Sequence, residues 1–228
     1  MRAIVVGATG AVGSSLVREL LASPAFGQVT ALTRRAVTSF DAAPGKGKLR
    51  IEVVDLAGLE RDAARLGAGF DAAFNCMGIG QPRKVSYEEF RRVDVEYAGA
   101  FARGAKAAGV RHISLLSAIG TNIDSSNRYI RTKGQAEQAV IDASIARTSL
   151  FRPSLLVTKD IRYGLQDRLT QTIFPVVSPL LPRKYHQVTV EDLGRAMCLN
   201  AERPGTGVEF LEYPQFRALL DAGRAGSR

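Results

Sequence analysis

The feature that most constrains this chain is a short apolar run, Ala3-Ile4-Val5-Val6, that breaks into three glycines spaced three positions apart, Gly7, Gly10 and Gly13. Residues 14–22 follow with helical character. A second apolar run at 28–32 then ends in Thr33-Arg34-Arg35. This is the order strand, glycine turn, helix, strand, and each glycine has a task in it. Gly7 permits a tight turn off the strand, Gly10 lets backbone approach a pyrophosphate, and Gly13 lets the helix lie close to the sheet. Free amides at the helix start would face the phosphates. The plainer alternative is a tight strand–helix turn with no ligand.

The end of the second strand narrows the ligand. A site preferring NAD usually places Asp or Glu there to bind the ribose hydroxyls. Here Arg34 and Arg35 stand instead, and guanidinium groups pair bidentately with a 2′-phosphate. NADP is therefore the expected cofactor; the alternative is a solvated basic pair. After a third strand at 49–54 comes Asp55-Leu56. Asp55 suits either a hydrogen bond from the adenine amino group or a cap on the next helix, with nothing to choose between them.

The rest of the chain keeps alternating. Strands are expected at 70–75, 113–116, 147–156 and 207–213, and helices at 59–66, 87–108, 126–145 and from Thr189 to Asn200. That pattern predicts an α/β protein, a Rossmann-type doubly wound fold with a mostly parallel sheet and a small C-terminal substrate lobe. Residues 1–157 are assigned to an NADP-binding core and 158–228 to a lobe contributing to the same domain. The irregular stretch 158–182, with three prolines, is the expected source of substrate contacts.

Composition excludes several classes. No run reaches the roughly 18 apolar residues of a membrane span, and the N-terminal run breaks too early for a secretory signal. Cys76 and Cys198 lack companions at ligand spacing, so neither a metal site nor a disulfide is expected, and a reduced, cytoplasmic protein is. The net charge of +9 raises nucleic acid as a partner. The cations are scattered and no aromatics interleave with them, so a solvated basic surface that draws in an anionic cofactor is the preferred reading. Cys76 reads as a buried small residue, and Glu88-Glu89, His112 and Glu191-Asp192 read as structural.

A second constellation lies further on. Ser117 falls at the carboxyl end of the fifth strand, where doubly wound folds place ligands. Tyr129 and Lys133 follow, and on a helix they share one face, a turn apart. An ammonium beside the phenol, with the nicotinamide's own charge, would stabilise a phenolate and suit Tyr129 to proton transfer with a carbonyl or alcohol. Ser117 would bond the same substrate oxygen, and Lys133 would also hold the ribose.

GATGAVG, the LTRR strand end, the ISLLSAIGTNIDSSNRYIRTK block and FRPSLLVT together resemble the atypical, extended-type short-chain dehydrogenases/reductases, and within them the Tat-interacting oxidoreductase-like proteins. The resemblance covers about residues 1–213. It implies Thr9, Gly10, Ala11 and Val12 at the pyrophosphate, Arg34 and Arg35 at the 2′-phosphate, and Met77 and Gly78 near the ribose. It further implies Tyr129 as the proton-transfer residue with Lys133 as its partner, and Leu156 on the nicotinamide side. Relatives often carry an Asn for a relay water on the helix after strand four. Here the stretch is Val93-Asp94-Val95, which departs from that pattern. The implied activity is hydride transfer to or from a small carbonyl or alcohol, and family habit allows a homodimer. A non-catalytic NADPH-binding redox sensor is the rival, with a sugar-nucleotide epimerase behind both.

Overall fold

The computed structural model describes residues 1–158 and 185–225. Seven parallel strands form one sheet in the order β3-β2-β1-β4-β5-β6-β9. They are β1 (Arg2–Val6), β2 (Gln28–Thr33), β3 (Leu49–Val53), β4 (Ala72–Asn75), β5 (His112–Leu116), β6 (Arg147–Phe151) and β9 (Gly207–Leu211). Strand alternation splits the core in two. Ala3 and Val5 of β1 face α1 (Ala11–Ala22) and the C-terminal helices α6 (Val190–Glu202) and α7 (Tyr213–Ala225). Ile4 and Val6 face α2 (Leu59–Leu66), α4 (Tyr97–Ala107) and α5 (Arg128–Ile141). Both faces of a parallel sheet are covered, which is why β1 reads as a continuous apolar run rather than an alternating one.

Residues 185–225 build part of this core. β9 adds an edge strand beside β6, and α6 lies against α1 so closely that a Cβ on Gly194 would stand 2.7 Å from the Leu16 nitrogen. The expected substrate-contact stretch falls, apart from Thr158, outside the described residues.

Several expected boundaries move; the last strand ends at Leu211 rather than 213, and Tyr213 opens α7 instead. The sixth strand ends at Phe151 rather than running to 156, because Pro153 has no N–H to continue a ladder. Leu156–Val157 instead forms β7, paired with β8 (Val188–Thr189) in a separate two-stranded sheet. The expected helix over 126–145 is α5, shortened at both ends. Asn127 caps it, its side chain accepting from the Tyr129 and Ile130 amides, and beyond Ile141 the chain turns through Ser144 at φ 52°. The long helix over 87–108 forms as α3 (Tyr87–Arg91), a π-helical segment Arg92–Glu96, and α4. Gly109, at φ 80°, ends it as expected.

Sheet order reverses at β1, whose neighbours β2 and β4 continue in opposite directions. The crevice outside the carboxyl ends of β1 and β4 is thus the topological switch point, where doubly wound sheets bind ligands.

Candidate active site

A cavity of about 370 Å³ opens at that switch point. Gly10, Ala11 and Val12 from the turn after β1 line one side, and Met77 and Gly78 after β4 line another. Ser117 after β5, Tyr129 and Lys133 of α5, and Leu156 complete it. Nine of the expected residues are therefore brought together. Gly7 and Gly13 do not line the cavity; they shape its wall. Gly7 stands at φ 79°, and a Cβ there would lie 2.4 Å from the Cys76 carbonyl carbon. A Cβ on Gly13 would fall 2.1 Å from the Gly7 oxygen. Thr9 is exposed at the turn and does not line the cavity.

Gly10 differs from both. Its φ is −70°, and a Cβ would meet only the Gly7 oxygen at 3.4 Å and the Cys76 oxygen at 3.9 Å. Protein packing tolerates a side chain there, so the bare backbone on the cavity wall leaves room for something else. No side chain caps α1 and its first turn carries no acid, so its leading amides are left for an anion. These residues fit a dinucleotide pyrophosphate.

Arg34 lines a second cavity at the end of β2 with Asp55, Leu56, Glu89, Arg92 and Tyr97. Arg34 and Arg35 are both exposed, and among the described residues neither pairs with a carboxylate. Arg35 does not line this cavity; its carbonyl accepts from the Thr33 hydroxyl at 2.9 Å. Asp55 does act as a cap, Oδ1 accepting from the Ala57 amide at 3.1 Å, which leaves its second oxygen for the cavity.

Sequence reasoning missed the carboxylates behind the cleft. Asp94, in the π-helical segment and only 4 % exposed, accepts from Lys133 Nζ at 3.2 Å with Oδ1 and from the Ile79 amide at 2.9 Å with Oδ2. Lys133 Nζ also donates to the Leu116 carbonyl at 3.3 Å, so one of its three protons remains. Glu137 receives the Ser117 hydroxyl at 2.5 Å and Arg152 through both oxygens, at 2.9 and 2.5 Å. That bonding holds the Arg152 guanidinium charged above its ordinary range. A signal for both acids was available. Asp94 stands four residues after buried Phe90 and four before buried Ala98, and Glu137 four after Lys133, so each interrupts a buried stripe.

Tyr129 is 39 % exposed, with its ring parallel to Phe90 at 6.0 Å between centroids. Cys76 is buried at the cavity floor, where burial pushes its thiol up to about 12; it is a packing residue and not a nucleophile. No cluster of His, Cys, Asp and Glu suited to a metal occurs among the described residues.

An uncapped helix over a glycine turn, at the switch point of a parallel sheet, defines a dinucleotide-binding α/β protein. The chain belongs to the NAD(P)H-binding family, whose model matches residues 7–189. It is 33% identical over 221 residues to Protein HTATIP2 of Rattus norvegicus, covering 96% of this chain and 88% of that one. The resemblance to the Tat-interacting oxidoreductase-like proteins is thereby borne out. Protein FMP52, mitochondrial, of Candida albicans is 31% identical over 175 residues, covering 76% of this chain and 75% of its own. Among solved structures, MoeE5 in complex with UDP-glucuronic acid and NAD superposes with a TM-score of 0.73 at 20% identity. That match covers 93% of this chain and 76% of the other, and it shows the fold. No helix among the described residues is long and apolar enough to cross a membrane.

Proposed function

We propose that the chain is an NADP(H)-dependent oxidoreductase of the short-chain dehydrogenase/reductase superfamily, reducing a carbonyl or oxidising an alcohol. The observation that carries this reading is the meeting of Tyr129 and Lys133 with the glycine turn in one cavity. A bound nicotinamide would supply or accept the hydride at the substrate carbon. Tyr129 gives its phenolic proton to the carbonyl oxygen, or takes one from an alcohol in the reverse direction. Lys133, fixed by Asp94 and the Leu116 carbonyl, sets a positive charge near that phenol and keeps one N–H for the ribose. Gly10, Ala11 and Val12 would hold the pyrophosphate, Met77 and Gly78 would border the ribose, and Leu156 would back the nicotinamide.

Ser117 has a narrower part than its position suggests. Its one proton goes to Glu137, so it offers lone pairs to the substrate oxygen and not a donor. It therefore orients an alcohol better than it polarises a carbonyl, and Tyr129 is the principal donor.

NADP over NAD rests on Arg34 and Arg35, which form no ion pair among the described residues, with Arg92 in the second cavity beside the acids Asp55 and Glu89. Our reading of location remains a reducing compartment, the cytoplasm, from two buried free cysteines. The mitochondrial label belongs to FMP52. Incubation with NADPH and a panel of aldehydes and ketones tests the function. Cofactor oxidation that needs a carbonyl supports it, whereas tight NADPH binding without oxidation by any carbonyl favours the redox sensor.

A further inference from the structure

A separate recess, also of about 370 Å³, lies beside the cavity at the switch point, and Tyr129 lines both. Its apolar wall comes from Val85, Tyr87 and Phe90, and its cations are Arg83 and Arg128. No carboxylate lines it. Among the described residues neither arginine pairs with an acid; the Arg128 guanidinium instead lies 5.5 Å over the Tyr87 ring. The Tyr87 phenol sits below its ordinary value, first through a hydrogen bond with Thr132 and then through the Arg131 and Arg91 cations. Tyr129 is the residue the two spaces share, and its ring stacks on Phe90 of the recess wall.

A molecule whose carbonyl meets Tyr129 in the main cavity stands at the residue that also lines the recess. There it meets an apolar, aromatic surface and then two unpaired guanidinium groups. We propose that the substrate is an anionic carbonyl compound, its reacting carbon separated by an apolar or aromatic spacer from a carboxylate or phosphate held by Arg83 and Arg128. Guanidinium binds both anions by paired N–H donors, so the recess selects for negative charge rather than for one anion. The proposal rests on the oxidoreductase reading for the carbonyl and on the recess alone for the anion.

The test compares kcat/KM with NADPH for para-carboxybenzaldehyde, for para-formylphenyl phosphate and for neutral para-methylbenzaldehyde. An anionic aldehyde should exceed the neutral one by about tenfold or more, the scale of one charge-assisted hydrogen bond. That ratio should collapse in R83Q/R128Q and be only partly restored in R83K/R128K, which keeps the charge but loses the paired donors, with NADPH binding as the control for folding. Which of the two anions gains more identifies the natural charged group. A ratio near one in the wild-type protein, or one that survives R83Q/R128Q, overturns the proposal. Should no aldehyde be reduced, the oxidoreductase reading falls, and binding decides the recess separately. Para-methylbenzoate and phenyl phosphate titrated by NMR into the NADPH-loaded protein should bind more weakly to R83Q/R128Q than to wild type. Equal binding to both would remove the anion site.

Discussion

Lys133 Nζ lies 3.2 Å from Asp94 Oδ1, and both side chains are nearly sealed from solvent. The pair ties α5 to the π-helical segment, and through the Ile79 amide to the loop that borders the cleft. One extra residue per turn is what a π-helical segment inserts, and such segments recur at functional sites. Here it sets a carboxylate behind the lysine.

Removing one partner of a buried pair leaves the other charged and uncompensated, which costs about 3–5 kcal/mol. Asp94→Ala should therefore lower the urea unfolding free energy by about that amount. The double variant Asp94→Ala/Lys133→Met should recover a large part of it. If the double variant is no more stable than Asp94→Ala, the pair is not coupled as the geometry indicates.

The two strand-end arginines can be tested through cofactor discrimination. Replacing Arg34 and Arg35 with Ala should weaken NADPH by about 1–3 kcal/mol more than NADH, the value of lost charge-assisted bonds. Equal weakening of the two, measured by fluorescence titration, would mean that the pair does not read the 2′-phosphate.

Ser117 and Tyr129 should separate in kinetics. Because the serine proton is committed to Glu137, Ser117→Ala should cost about tenfold in kcat, against the roughly 100-fold or more expected for loss of a general acid. A serine variant as impaired as Tyr129→Phe would show that Ser117 does donate to the substrate.

His112 supplies a pH test remote from the cleft. It is buried, bonded to Ser149 Oγ at 2.7 Å, and burial together with the Arg147 cation lowers its pKa to about 4. The unfolded chain takes up a proton near the ordinary value of 6.5 that the folded chain refuses until about pH 4. Stability should therefore fall as pH drops through that window, by about 3 kcal/mol at most from this group. Comparing urea midpoints at neutral and acid pH for wild type and His112→Gln isolates the contribution, since other carboxylates titrate alike in both. An unchanged slope in the variant would contradict the assignment.

Much of this was legible in the chain. The glycine turn, the parallel strands and the shared face of Tyr129 and Lys133 depend on local spacing, which sequence records directly. The start of α6 was equally local: the helix expected from Thr189 begins there, the Thr189 hydroxyl accepting from the Asp192 amide at 3.0 Å. What stayed hidden depends on packing between distant segments. Asp94 and Lys133 lie 39 residues apart, and the π-helical segment has no composition signal of its own. The sixth strand was read too long because apolar residues continue past Pro153, although the ladder does not. The charged recess joins the start of α5 to the residues before and within α3, an adjacency that only the fold creates.

The most direct test of the account is Tyr129→Phe, assayed for NADPH binding and for carbonyl-dependent NADPH oxidation in the same preparation. The prediction is an NADPH Kd within about threefold of wild type, with turnover lowered roughly 100-fold or more. A variant that binds NADPH and still turns over at the wild-type rate would contradict it and remove Tyr129 from the chemistry.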